Sequence, residues 1–163
     1  MFDEINGLPT HALALHAAVV LVPLSAVLGL LFAIPRTRSW SRVPLLVVSV
    51  GAVAAVYVAK ESGERLQQVL PLEGPSRDLV ELHADRADVL FYATIGYAVL
   101  AVAAFVLTRG SARNDVATLV LAVLLVVGAA GVAFQTYRVG DVGARAVWNP
   151  TGDVDYGSTA ERD

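Results

Sequence analysis

Four long apolar runs, almost free of charge, alternate with short polar blocks along the chain. The first covers about Ala12 to Ile34 and is closed by Pro35. The second covers about Val43 to Ala59, after Trp40 and before Lys60-Glu61. The third covers about Ala87 to Thr108, its helix starting earlier, near the Ser76 that follows Pro75. The fourth covers about Val116 to Val139 and stops at Gly140. A soluble amphipathic helix shows a polar face recurring every three or four residues, and these runs show none. Each approaches or exceeds the roughly 20 apolar residues that cross a bilayer. Short connections make neighbouring helices antiparallel. The pattern therefore predicts an all-α membrane protein: four transmembrane helices in an up-down-up-down bundle, one domain over residues 1–148. The remaining stretch, 149–163, is polar and contains Gly and Pro, so disorder is expected there. No internal repeat is convincing from the residues.

Composition agrees with this picture and narrows the chemistry. Of 163 residues, 56% are hydrophobic and 17% charged, below the quarter or so usual in a soluble domain. Cysteine is absent, which excludes disulfides, thiolate metal sites and thiol catalysis. A net charge of −3 argues for neither a nucleic-acid nor an anionic-lipid partner. The acidic start, MFDEINGLPT, lacks the basic region of a secretory signal, so the first run reads as a retained helix.

Arginine placement predicts orientation. The first connection, RTRSWSR, holds Arg36, Arg38 and Arg42 with no acid, and the third holds Arg109 and Arg113 against Asp115. The second mixes signs and is rich in Glu and Asp. Positive residues favour the cytoplasmic side. The expected location is the cell membrane, multi-pass, with both termini and the long second connection on the extracytoplasmic side.

A helix rises about 1.5 Å per residue, so each polar residue can be assigned a depth along its own span. His16 lies roughly 27 Å above the cytoplasmic end of the first helix, and His11 roughly 35 Å. Glu61 and Glu64 lie roughly 28 and 33 Å above Arg42, His83 roughly 37 Å above Thr108, and Asp141 roughly 39 Å above Asp115. Two layers result near the outer face. An upper one has His11, Glu64, His83 and Asp141; a deeper one has His16 and Glu61, with Tyr57, Tyr92 and Gln135 near it. The cytoplasmic half of the spans is almost purely aliphatic. Ionisable groups at membrane depth are costly and mark sites. Each also has an ordinary reading. His11 suits a helix start among headgroups, His83 a solvated stretch, Glu64 a partner for Lys60 four residues before it, and Asp141 a helix end.

The opening GLPTHALALHAAVVLVPLSAV resembles the start of a family of bacterial four-helix membrane proteins, DUF2231, whose members begin with Leu-Pro, a His, then Val-His-Phe-Pro or Val-His-X-X-Val-Val-Leu. The closing TYRVGDVGARAVW resembles that family's Tyr-Arg-X-Gly-His-X-Gly-Ala-X-X-Val, and His83 fits a histidine early in the third helix. The resemblance spans Gly7 to Trp148. It implies no particular activity, but its recurrent histidines point to haem or metal. His11, His16 and His83 match by position; Asp141 stands where the pattern favours histidine. Aspartate is a poor axial ligand for haem iron and a good one for zinc, manganese or non-haem iron.

Three functions are compatible with these residues. A b-type haem redox protein would use His16 and His83 as axial ligands across the bundle, although His83 sits roughly 10 Å higher; His11 with His83 matches depth better. A non-haem zinc, iron or manganese site would use His11, His83 and Asp141 with Glu61 or Glu64. An accessory protein would instead bind a membrane-protein or redox partner in the lipid bilayer and perform no chemistry. No catalytic residue set stands out, and the aliphatic cytoplasmic half argues against a channel.

Overall fold

In the computed structural model, residues 4–110 and 115–155 are described, apart from the Ile5 side chain. A two-residue antiparallel ladder, β1 (Glu4–Ile5) with β2 (Leu8–Pro9), precedes four helices: α1 (Thr10–Ala33), α2 (Arg38–Val69), α3 (Gly74–Thr108) and α4 (Val116–Trp148). All four are long and apolar enough to cross a membrane. The small hairpin turns at Asn6 and Gly7, both with positive φ, the pairing that suits a tight two-residue hairpin loop.

Local chemistry accounts for the helix ends. Pro35 disfavours a helical Ile34, which is extended at φ −82° and ψ 120°, and α1 stops. Gly74 at φ +53° and Pro75 in the first turn start α3, two residues before Ser76. Asp115 caps α4 by accepting the Thr118 N–H at 2.9 Å. Pro23 and Pro44 lie inside α1 and α2, which transmembrane packing tolerates.

Three helices run well past their apolar spans. The second continues beyond Lys60-Glu61 to Val69, the third starts thirteen residues before Ala87, and the fourth continues through Gly140 to Trp148. Ion pairs one turn apart knit these polar extensions: Lys60 with Glu64, Arg77 with Glu81 at 2.9 Å, and Asp141 with Arg145 at 3.2 Å. Beyond α4, Asn149 folds the chain into a turn. Its amide donates to the Val154 carbonyl at 2.9 Å and accepts the Val154 N–H at 3.1 Å. The rest of the polar stretch, 156–163, lies outside the described residues.

The helices form a closed ring: α1 packs on α2 and α4, and α3 on α2 and α4. Val22, Phe32, Leu45, Ala52, Ala101, Ala104 and Leu125 are wholly buried. Ser25, Gly29 and Ser49 sit among them and allow close approach where lipid supplies no hydrophobic drive. Valines such as Val20, Val47, Val99 and Val127 project outward. Apolar residues thus occupy both the inside and the outside of the bundle, as a lipid-embedded protein requires. Three buried hydroxyls bond their own helix: Ser25 to Val22 O at 2.7 Å, Thr94 to Leu90 O at 2.7 Å and Thr108 to Ala104 O at 2.6 Å.

One end of the ring is cationic. Arg38 is buried and donates to the carbonyls of Phe32 at 3.1 Å and Ala33 at 3.3 Å, while its guanidinium lies 5.5 Å over the Phe32 ring. It satisfies acceptors that the end of α1 would otherwise leave unpaired. Arg42 donates to the Thr108 carbonyl on α3. Replacing Arg38 with Met is expected to destabilise the fold by about 2 kcal/mol, because buried carbonyls lose their donors. Lysine should not rescue it, since a point charge cannot reproduce the planar fork. Denaturant midpoints of the variants in detergent check this.

Candidate functional site

At the opposite end from these arginines, α1 and α3 face each other across the ring through two imidazoles. His11 and His83 have ring centroids 6.4 Å apart with planes at 89°. His11 Nδ1 lies 2.8 Å from the Ala59 carbonyl of α2, and His83 Nδ1 lies 3.0 Å from the Val139 carbonyl of α4. A carbonyl can only accept, so each ring donates from a protonated Nδ1, an arrangement that in a neutral imidazole leaves Nε2 free. Metal-ligating histidines are oriented in this way, by giving the second ring nitrogen's proton to a carbonyl or carboxylate.

Each ring sets its Nδ1–Cε1 edge against a glycine. A Cβ added at Gly63 would come within 3.0 Å of the His11 ring, and one at Gly143 within 2.9 Å of the His83 ring. The glycines sit four residues after the accepting carbonyls, on the same helix face. A side chain at either position would force the imidazole to shift against its acceptor.

His16 is placed differently. It is exposed on the outside of the bundle, and its Nδ1 bonds the Ala12 carbonyl of its own helix. The imidazole that meets His83 is thus His11, not His16. Tyr57 and Tyr92 are also outward, in a cluster with Phe91 at centroid distances of 6.0 and 5.7 Å, as aromatic groups at a membrane interface are. Gln135 is buried but serves structure: its amide donates to the Arg86 carbonyl at 2.9 Å.

The carboxylates also stay apart from the histidine pair. Residues two apart on a helix point about 200° apart, so Glu61 and Asp141 face away from the rings seated on Gly63 and Gly143. Asp141 is engaged by Arg145, and Glu64 by Lys60. Among the described residues, no group of three or more His, Asp and Glu side chains is arranged to hold a metal ion. A contact the sequence reading did not foresee ties α2 to α3: Lys60 lies 3.2 Å from Asp88, with Glu64 on its other side. Arg86 adds a second tie, donating to the Arg138 carbonyl of α4 at 3.1 Å. The charges of the HADRAD stretch were the only signal for either, and they do not name a partner.

The family profile described as "Predicted membrane protein (DUF2231)" matches residues 7–155, which include all four helices and the histidine pair. The chain belongs to the DUF2231 family. No curated protein and no solved structure matches it. Membership agrees with the fold, since DUF2231 is a membrane-protein family and the bundle has four apolar helices. In this DUF2231 protein, the two histidines of the long apolar opening part company, one facing inward and one outward.

Proposed function

We propose that this chain is a multi-pass protein of the cell membrane whose outer end binds a b-type haem through His11 and His83, for electron transfer with a redox partner. The observation that carries the reading is the imidazole pair itself, with both Nδ1 atoms on carbonyls and the rings 6.4 Å apart. Two imidazoles bonded from opposite sides to one metal, at about 2 Å each, have centroids roughly 6 Å apart. Structural zinc takes four ligands and catalytic zinc three from the protein. Haem iron instead asks the protein for only its axial ligands, for which two histidines suffice. That difference favours haem over the non-haem centre built with Asp141, Glu61 or Glu64, whose carboxylates stand away from the rings.

The helices run up-down-up-down, with both termini on the extracytoplasmic side. Arg36, Arg38, Arg42 and Arg109 support this, since they gather at the end away from the histidines and cationic ends favour the cytoplasm. When bound, haem supplies one-electron chemistry, and the protein tunes it through axial-ligand identity and burial. Protein purified from haem-replete cells is expected to show a Soret band with roughly one haem per chain. Folded protein from such cells with no Soret absorbance would overturn the reading.

A further inference from the structure

The two imidazole seats are the same device built twice. In each, a histidine near the start of one helix gives its Nδ1 proton to a carbonyl of the next helix and lies on the glycine four residues later. His11 uses Ala59 and Gly63; His83 uses Val139 and Gly143. The correspondence extends through the bundle. The first and third helices match at a separation of 72 residues, the span between Ser25 and Tyr97. At that offset buried Ala18, Val22 and Ala26 fall on buried Leu90, Thr94 and Ala98. The second and fourth helices match at the offset of Gly63 from Gly143, where buried Ser41, Leu45 and Ala52 fall on buried Leu121, Leu125 and Val132. Once aligned this way, the residues agree as well. YVAKESGER and YRVGDVGAR share Tyr, Gly and Arg, with Glu61 opposite Asp141.

Two contacts reveal the symmetry that relates the halves. His11 meets His83, and the Tyr97 hydroxyl donates to the Ser25 carbonyl at 3.3 Å. In both, a residue touches its own counterpart, which happens only on a two-fold axis. The ring of helices fits the same operation, since it exchanges the α1–α2 interface with α3–α4 and the α2–α3 interface with α4–α1.

We infer that the chain is a tandem duplication of one helical hairpin, and that Gly63 and Gly143 are equivalent positioning residues that hold His11 and His83 on a shared pseudo-two-fold axis. The site takes one imidazole from each half, each held through its Nδ1 on a carbonyl of the following helix. It thus suits a ligand that offers equivalent coordination positions on opposite faces; haem iron is such a ligand, and that clause rests on the reading above. The internal repeat that residue identity did not reveal is present in the packing.

The test uses the full-length protein without added haem, in lipid nanodiscs, with nitrogen-15 and carbon-13 in its three histidines. Signals are assigned by removing His11 or His83 singly. Both are expected as Nδ1-protonated tautomers in the unmutated protein. Gly63→Ala should shift the ring-nitrogen signals of His11 and leave those of His83 unchanged, and Gly143→Ala should do the reverse. Gly131→Ala, where an added Cβ meets nothing within 4 Å, should move neither. If His11 and His83 differ in tautomer in the unmutated protein, the equivalence fails, whether or not the variants fold. If Gly63→Ala folds and leaves His11 unchanged, the seat fails. Neither result depends on haem binding, so failure here and failure of the haem reading are separate outcomes.

Discussion

Gly29→Ala is expected to be the most destabilising single-methyl change in the bundle. An added Cβ would lie 1.8 Å from the Tyr97 hydroxyl and 3.0 Å from the ring carbon that bears it. Tyr97 has no room to yield. It is 2% exposed, its hydroxyl is bonded to Ser25, and its ring edge would sit 2.9 Å from a Cβ at Gly128 on the other side. The phenol is therefore clamped between α1 and α4, and the backbone itself must move to admit a methyl group. Overpacking of a dense core costs about 1–3 kcal/mol, and this site belongs at the upper end. Unfolding titrations in mixed detergent should show the loss. Tyr97→Phe in the same chain should recover part of it, because the nearest clashing atom is the hydroxyl oxygen. A Gly29→Ala protein as stable as the parent would show that α1 and α3 are farther apart than described.

Removing either facing imidazole is expected to lower haem occupancy more than tenfold, whereas removing His16 should leave it unchanged. The reasoning is geometric. His11 and His83 stand on opposite helices with ring centroids 6.4 Å apart, so loss of one would leave a bound haem iron with a single protein ligand. His16 lies outside the ring and bonds within its own turn. The Soret absorbance per chain of His11→Ala, His83→Ala and His16→Ala, each purified from haem-replete cells, checks the ranking. Equal loss in all three, or loss in His16→Ala alone, would contradict the pairing of His11 with His83.

Much of this was legible in the order of residues. The outward valines and inward alanines of the spans are both apolar, and that lack of sidedness is what distinguishes a membrane helix from a soluble one. Depth along the axis was legible too, because a helix has a fixed rise per residue. It placed His11 and His83 at similar heights, and the two rings do meet. Depth does not decide which way a side chain points around the axis. His16 and Glu61 matched in height, yet one imidazole faces outward, and the carboxylate lies on a different helix face from the glycine that seats His11. Helix ends in the polar stretches were also hard to read. Charges there suggested termination at Lys60 and Gly140, whereas i,i+4 ion pairs carry both helices onward.

The internal duplication escaped the sequence for a concrete reason. The two helix pairs align at different offsets, 72 residues for the histidine helices, the separation of Ser25 from Tyr97, and eight more for the glycine helices. No single period brings both into register. Membrane insertion, four helices and the gathering of Arg36, Arg38 and Arg42 in a connection without acids followed from the residues alone, because hydropathy and charge act through solvent and need no partner. The identity of each histidine's partner, the glycine seats and the two-fold relation came only from the tertiary structure. Those depend on which faces of distant helices meet, and packing chooses that rotation.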